Sequence, residues 1–429
     1  MTAVPEPAPP VSGPTRAAAV VRPRLDFLHG LRGLAALYVV VFHLLLNARP
    51  RARWTTVHLL MEPFMHGYVA VAVFLVLSGF LLSMPVVLLR GSLPGGLGGF
   101  LWRRSLRILP PYYAAYFLHM LFFVAMSRLM PAVGLEIDDV VGQQLATGYE
   151  PLNVVAHVLM IHNVSLAWVD GMSGIFWTIA CEWQIYLLFA FLLVPLWRIG
   201  GSGAPLALCA LLGVGMTEAR WRGLLTYEIT WMIPVFATGM AAAAIAFGPA
   251  PLAQRMRRWH WGAITAALGL ATVAVIAVLD RTVTPEQLKA VGIPVPYFCL
   301  SFRVRWMPDV LGGLCAAAFI VWLAQRHPSV PTHLQGAPRA TAAALLRRLE
   351  SPRIMFLGLF AYSLYLTHGM VVIAVSRLLP AVVRGRAGHF TLTLLLGMAL
   401  SLLLAYAFYR LFERPFMTRE TRRMFTLER

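Results

Sequence analysis

Ten apolar runs, most of them long enough to cross a bilayer, follow one another along this chain. A helix needs about 20 mainly apolar residues to cross a bilayer, and it satisfies its own backbone hydrogen bonds there. We therefore predict an all-α protein, a polytopic integral membrane helix bundle with about ten transmembrane helices. The predicted spans are 27–48, 66–89, 108–130, 174–197, 203–219, 227–248, 261–280, 306–325, 354–378 and 390–411.

The composition agrees with a membrane protein, because 59% of the residues are hydrophobic and only 13% are charged. Soluble globular proteins carry about 25% charged residues. The net charge of +18 comes from 36 basic and 18 acidic residues. The basic residues lie mostly between the apolar runs, so membrane topology explains them better than nucleic-acid binding. We expect no nucleic-acid partner.

Arginine placement predicts the orientation, since loops rich in Arg stay on the cytoplasmic side. The loop 131–173 holds five acidic residues and no Lys or Arg, so we place it outside and both termini in the cytoplasm. Within it, 152–168 is too short to span and reads as an interfacial or re-entrant piece. We expect 1–24 to be a disordered cytoplasmic tail and 417–429 a basic one. We therefore expect a multi-pass protein of the plasma or inner membrane.

The first span carries two residues that are costly in a bilayer core, Arg32 and His43. Eleven residues apart on a helix, they share one face, roughly 16 Å apart along the axis. An imidazole titrates near neutral pH, and the planar guanidinium fork suits a phosphate or carboxylate. Each residue alone has a structural explanation. His43 could be a buried histidine that forms a hydrogen bond with a neighbouring carbonyl, and Arg32 could extend its side chain to the lipid headgroups. Together they indicate a functional site.

Three arginines, Arg103, Arg104 and Arg107, precede a Pro-Pro pair at 110–111. Arg104 and Arg107 are spaced i, i+3 and share a helix face. We predict that this face lies at a helix start, where the N-terminus and two guanidinium groups would seat a phosphate. Membrane anchoring by the positive-inside rule explains the cluster equally well.

Glu182 lies early in the fourth predicted span, beside Trp177 and Tyr186. A carboxylate this close to lipid needs a partner or a function. We hypothesise that Glu182 orients His43 or stabilises its charged form. An ion pair with an arginine of a neighbouring helix is the structural alternative.

Several other motifs have both structural and functional interpretations. In the ninth span, Tyr365 and His368 lie in FAYSLYLTHG, and His368 is either a second site histidine or a satisfied core residue. Ser78-Gly79 in the second span indicates close helix packing. Glu413–Pro415 at the end of the tenth span reads as a structural clamp. The four cysteines form no CxxC or Cys/His cluster, so we expect no metal site.

As a set, these segments resemble the acyltransferase 3 family of membrane-bound O-acyltransferases. The spacing of Arg32 and His43 is similar to the family's first-helix signature, and FLVLSGFLL at 74–82 to its second-helix motif. The other similar positions are Arg104, Arg107, Ile108, Pro110 and Tyr112, then Trp177, Glu182 and Tyr186, then Tyr362 to Leu366 with His368, and Glu413 to Pro415. The chain departs from the family at His29, where an Asp is usual, and at Thr178, where a Ser is usual.

The resemblance implies a bacterial type of enzyme that moves a short, acetyl-like acyl group from acyl-CoA to a hydroxyl. Known acceptor classes are surface glycans, glycolipids and macrolides, so carbohydrate O-acetylation is one expectation. Acyl-CoA would be a co-substrate, with no permanently bound cofactor.

Residue roles follow as a hypothesis from that resemblance. His43 would be the general base or acyl relay, with Arg32 and Glu182 as further catalytic groups. The expected coenzyme A contacts are Arg103, Arg104, Arg107 and Tyr112. The expected acceptor contacts are Trp177, Tyr186, Tyr365 and His368.

A second class of function is a proton-coupled transporter or flippase for an anionic or glycosylated solute. Buried Arg, His and Glu serve proton coupling equally well. Many transporters carry internal repeats with broken helices, and the sequence shows no internal repeat. Turnover of acyl-CoA separates the two classes.

Overall fold

A computed structural model of the protein describes residues 23–48, 61–221, 231–282, 306–336, 340–379, 383 and 386–417. No strand occurs among these residues. The helices are α1 (Phe27–Ala48), α2 (Gly67–Leu88), α3 (Gly96–Ala132), α4 (Asp139–Thr147), α5 (Pro151–Val158), α6 (Leu166–Val169), α7 (Trp177–Leu188), α8 (Val194–Gly200), α9 (Gly203–Trp221), α10 (Met232–Phe247), α11 (Pro251–Arg257), α12 (Trp261–Thr282), α13 (Trp306–Ala324), α14 (Ala340–Leu349), α15 (Pro352–Leu359), α16 (Ala361–Leu378) and α17 (Arg386–Phe408).

The predicted multi-pass helix bundle is confirmed. Within the described residues, seven helices are long and apolar enough to cross a bilayer, and two bent pairs raise the number to as many as nine. The bent pairs are α10 with α11, at 88°, and α15 with α16, at 70°. The predicted span 203–219 falls on α9, whose apolar part, Gly203–Met216, is shorter than the seven helices counted above. The number ten and the side of each terminus stay predictions.

Some predicted segments lie outside the described residues. These are the tails 1–24 and 417–429, apart from their innermost residues, and the start of the predicted span 227–248. By contrast, 152–168 is described throughout. It forms α5, a 3-10 turn at His162–Val164 and α6, none of which is long enough to span.

One predicted helix boundary is wrong. The third helix does not start at the Pro-Pro pair but runs from Gly96 through Pro110 and Pro111 to Ala132. Arg104 and Arg107 therefore lie well inside α3, and the argument for a phosphate seat at a helix N-terminus fails. Prolines remove backbone donors, yet membrane helices tolerate them where neighbouring elements cover the site. Beside these prolines, the Tyr362 hydroxyl donates to the Ile108 carbonyl at 3.1 Å.

Helix α1 is central, since it packs against α2, α14, α15, α16 and α17. Close approach between helices depends on glycine at a few points. A Cβ on Gly79 of α2 would lie 2.1 Å from the Phe236 carbonyl oxygen of α10, and one on Gly239 would lie 2.1 Å from that of Val76. The packing interpretation of Gly79 is confirmed, because any side chain there would push the two backbones apart.

The clamp interpretation of Glu413 also agrees with the structure. Its carboxylate accepts hydrogen bonds from the Ser363 hydroxyl at 2.5 Å and from the Ser363 backbone N–H at 3.2 Å. Glu413 ends a π-helical segment that follows α17. The bond thus ties the end of the last described helix to the first turn of α16.

Residues 133–176, here called the cap segment, connect α3 to α7 and pack against both helices. Two histidines stabilise it: the rings of His157 and His162 stack with centroids 3.8 Å apart and are fully buried. The Tyr112 hydroxyl of α3 donates to the His157 carbonyl at 3.0 Å. Burial lowers the pKa of His157 to about 4 and that of His162 to about 3.

These shifts predict a loss of stability in acid. In an unfolded chain both rings titrate near pH 6.5, so below that pH the unfolded state binds protons that the folded state does not. The stabilisation is present above about pH 6.5 and falls as the pH falls; at pH 5 each ring costs roughly 2 kcal/mol. In detergent, the melting temperature should drop between pH 7.5 and 5. His157→Phe, which retains an aromatic ring beside Tyr116, should show a smaller drop.

The matched control is His260→Phe, since His260 is exposed at the start of α12. This variant should behave as the wild type at both pH values. Equal drops in the wild type and His157→Phe would contradict the assignment of the acid sensitivity to the stacked pair.

Candidate active site

A cavity of about 70 Å³ lies among α1, α2, α3, α7, α10 and α16. Its wall is partly aromatic, with Phe74, Trp177 and Tyr365 among the lining residues. The polar lining consists of Arg32, Ser78, Arg107, Thr178, Glu182 and Tyr186. Apolar walls with a few convergent polar groups are typical of small-molecule sites.

Glu182 is held by two hydroxyl groups. Ser78 donates to its Oε1 at 2.6 Å and Tyr186 donates to the same oxygen at 2.5 Å. Ser78 comes from α2, while Tyr186 lies one turn after Glu182 on α7. These two bonds fix the carboxylate in place at the cavity wall.

Guanidinium groups surround this carboxylate. Arg32 and Arg107 line the cavity with it, and the Arg104 guanidinium carbon lies 5.7 Å from the centroid of the Tyr186 ring. Glu413 also lies within electrostatic range of Arg32 and Arg107. Three arginines against two carboxylates leave an excess of positive charge, which suits an anionic ligand.

The His43 ring has a defined tautomer. Its Nδ1 lies 2.9 Å from the Val39 carbonyl oxygen, one turn earlier on α1. A carbonyl oxygen only accepts, so Nδ1 carries the proton and, in a neutral ring, Nε2 is a free lone pair. An imidazole nitrogen in this state can act as a general base.

His368 is the partner of His43. Its own Nδ1 donates to the Tyr365 carbonyl at 2.8 Å and to the Leu364 carbonyl at 3.1 Å. Its Nε2 is thus an acceptor, and it lies 3.2 Å from His43 Nδ1. The proton on His43 is therefore shared between the Val39 carbonyl and His368.

The histidine pair adjoins the cavity through Tyr365. This residue lines the cavity, its ring centroid is 5.8 Å from that of His368, and its hydroxyl accepts a 2.7 Å hydrogen bond from Thr178. Arg32 and His43 lie on the same helix, with Arg32 nearer its start. Arg32 and Arg107 line the cavity, whereas His43 and His368 do not line it and lie beside it.

Most of the residues predicted from the sequence meet here. Arg32, Arg107, Trp177, Glu182, Tyr186 and Tyr365 line the cavity, and Arg104 lies at its edge. Tyr112 and Arg103 do not line it: Tyr112 is buried against the cap segment, and Arg103 is exposed and donates to the Pro94 carbonyl. His368 lies behind Tyr365, against His43.

Glu182 and His43 share no hydrogen bond among the described residues, and the hypothesis that Glu182 stabilises the charged form of His43 stays a prediction. Among the described residues, the hydrogen bonds of Glu182 come from Ser78 and Tyr186, and His368 is the side chain bonded to His43. The sequence interpretation also missed Ser78, which it treated only as part of a packing notch. A hydroxyl in the middle of an otherwise apolar helix was the signal available.

In the described part of the chain, no group of three or more His, Cys, Asp or Glu side chains could hold a metal ion.

A family model described as an acyltransferase domain, of the acyltransferase 3 type, matches residues 25–410. This range includes every lining residue of the cavity and both paired histidines. The comparisons with curated proteins and with solved structures returned no match.

Proposed function

The chain belongs to the acyltransferase 3 family and is a membrane acyltransferase, and we propose that it transfers a short acyl group from acyl-CoA to a hydroxyl group. The acceptor would be a glycan, a glycolipid or a macrolide. The observation that supports this proposal is the pairing of a cationic cavity with an adjacent imidazole whose Nε2 is unprotonated. An anionic donor and a hydroxyl acceptor need these two features.

In this proposal, Arg32, Arg104 and Arg107 bind the phosphates of coenzyme A. Guanidinium forks bind phosphate oxygens through paired hydrogen bonds. The pantetheine arm then runs along α1 toward His43, a distance of roughly 16 Å. Glu182, held by Ser78 and Tyr186, limits the mutual repulsion of the arginines before the donor binds.

The chemical step uses His43 Nε2. This nitrogen takes the proton of the acceptor hydroxyl as the oxygen attacks the thioester carbonyl carbon. The carbon–sulfur bond then breaks, and the proton passes from His43 to the departing thiolate, giving the ester and free coenzyme A. If His43 instead carries the acyl group briefly, Nε2 attacks the thioester carbon and the carbon–sulfur bond breaks to release the thiolate. The acceptor oxygen then attacks the acyl carbon, the nitrogen–carbon bond breaks, and the hydroxyl proton passes to the thiolate.

The proposed orientation keeps both termini in the cytoplasm of a cell whose plasma or inner membrane holds the protein. The arginine end of the cavity would then face the compartment that contains acyl-CoA. The cap segment would face the other side of the membrane. Ten spans remain the proposed total.

The test of the reaction is acyl transfer by the purified protein in nanodiscs. Wild type would receive radiolabelled acetyl-CoA and a panel of hydroxylated acceptors. We expect free coenzyme A and labelled product from the wild type, and a rate at least about a hundredfold lower for His43→Ala. His260→Ala, at an exposed position, should match the wild type. Full turnover by His43→Ala would contradict its role, and no turnover by the wild type would favour transport.

Arg107→Gln should raise the KM for acetyl-CoA about tenfold, because one charged contact to phosphate is lost. S-acetylpantetheine lacks the nucleotide phosphates, so the wild type and Arg107→Gln should use it equally well. The matched control is Arg255→Gln, at an exposed position of α11. A defect of Arg107→Gln that is the same for both donors would contradict phosphate binding.

His368 should act as a positioning residue for His43. His368→Leu removes the acceptor for the His43 proton, and we expect kcat to fall roughly tenfold to a hundredfold with little change in the KM for acetyl-CoA. His368→Gln offers an amide oxygen as acceptor and should restore most of kcat. Equal losses in the two variants would indicate that His368 only fills space.

A further inference from the structure

His119 of α3 is a buried histidine with an unused acceptor. Its Nδ1 donates to the Ala115 carbonyl at 2.9 Å, so in a neutral ring Nε2 is a lone pair. The side chain is fully buried, and Nε2 has no hydrogen-bond partner among the described residues. A buried acceptor without a partner costs free energy, so such groups usually face water or a ligand.

The nitrogen faces a small gap beside Gly369. A Cβ placed on Gly369 would lie 3.8 Å from His119 Nε2 and 3.5 Å from the Ser173 hydroxyl oxygen. Ser173 belongs to the cap segment and is itself buried. Two polar groups from different elements therefore meet beside Gly369, with Ile175 Cδ1 as the third neighbour, 3.5 Å from the same Cβ position. These are ordinary contact distances, so the space at Gly369 admits one group of the size of a methyl or a hydroxyl.

The gap lies next to the proposed reaction centre. Gly369 directly follows His368, whose Nε2 contacts His43. Along α3, His119 lies twelve residues beyond Arg107, about 18 Å, which is close to the separation of Arg32 and His43 on α1. The two histidines are thus at a similar depth in the bundle, both away from the arginine end.

The donor would occupy the arginine side of His43, so an acceptor has to approach from the other side. That side is where His119 and Ser173 lie, beneath the cap segment. The Phe176 ring, with its centroid 4.8 Å from that of His119, forms an apolar wall there. A lone-pair acceptor in an apolar surrounding discriminates strongly in favour of a ligand that brings a hydroxyl donor.

We propose that His119 Nε2 and the Ser173 hydroxyl form a subsite for a second hydroxyl group of the acceptor, next to the hydroxyl that is acylated. The inference rests on the proposed function. It names the acceptor class as a polyol, such as a sugar ring with neighbouring hydroxyls, in preference to a simple alcohol. His119 contacts the acceptor, whereas His43 contacts the reacting atoms.

Three variants test this subsite. His119→Phe keeps a ring against Phe176 but removes the acceptor nitrogen, and His119→Gln offers an amide oxygen in its place. Gly369→Ala fills the gap with a methyl group at ordinary contact distances, so the fold should tolerate it. The control is Gly269→Ala in α12, where the new Cβ would lie 3.6 Å from Cys315 Sγ, away from the cavity.

The measurement is the ratio of kcat/KM for a sugar acceptor to that for 1-octanol, with acetyl-CoA as donor. Octyl glucoside, chitobiose and a glycosylated macrolide serve as the sugar acceptors. We expect the ratio to fall roughly tenfold to a hundredfold in His119→Phe and in Gly369→Ala. His119→Gln should keep most of the ratio, and Gly269→Ala all of it. The KM for acetyl-CoA should stay within about twofold in each variant.

The outcomes separate the two proposals. A wild type that transfers no acyl group to any acceptor would overturn the proposed function. An active wild type with an unchanged ratio in His119→Phe and Gly369→Ala would overturn only the subsite. Loss of activity toward sugar and octanol in equal proportion would also overturn it, because a purely structural role lowers both rates together.

Discussion

The structure depends first on pairing the charged groups of the apolar helices with groups of opposite charge. Arg32, Arg107 and Glu182 come from α1, α3 and α7, and their charges are compensated only when these helices lie side by side. An unpaired ion in a low-dielectric interior costs several kcal/mol. Glu413, bonded to Ser363, adds a second carboxylate within range of the same arginines. The carboxylates thus compensate part of the positive charge at the cavity, and the excess of positive charge that remains suits an anion.

Helix geometry also sets the state of the histidines. His43, His119, His157 and His368 each place Nδ1 near the carbonyl oxygen four residues earlier. Since that oxygen can only accept, every one of these rings, when neutral, presents Nε2 as a lone pair. At His368 the lone pair accepts from His43, whereas at His119 it has no hydrogen-bond partner among the described residues. In the proposed reaction the same local bond would serve a positioning group at His368, a base at His43 and a binding group at His119, and the difference would come from the neighbours alone.

The end of the bundle under the cap segment is held by a separate polar network. Arg377 at the end of α16 bonds to Asp138, which caps α4, and to Asn47 at the end of α1. The Asn47 amide in turn donates to the His43 carbonyl at 2.9 Å. Three chain segments distant in sequence are thereby joined within one turn of His43. Through these bonds the cap segment helps to hold the part of α1 that carries His43.

The sequence alone determined the membrane bundle, the helix that carries Arg32 and His43, the grouping of Arg104 with Arg107, and the position of Glu182 within an apolar helix. These conclusions follow from hydropathy and helical spacing, which are local properties of the chain. Only the tertiary structure decided that Glu182 lies with Ser78, Tyr186 and the arginines, that His368 is the partner of His43, and that His119 lies beside them. It also decided that α3 continues through Pro110 and Pro111, since packed neighbours can cover the break. These outcomes depend on which helices pack together. The spacing of residues within one helix does not predict which distant helix lies beside it.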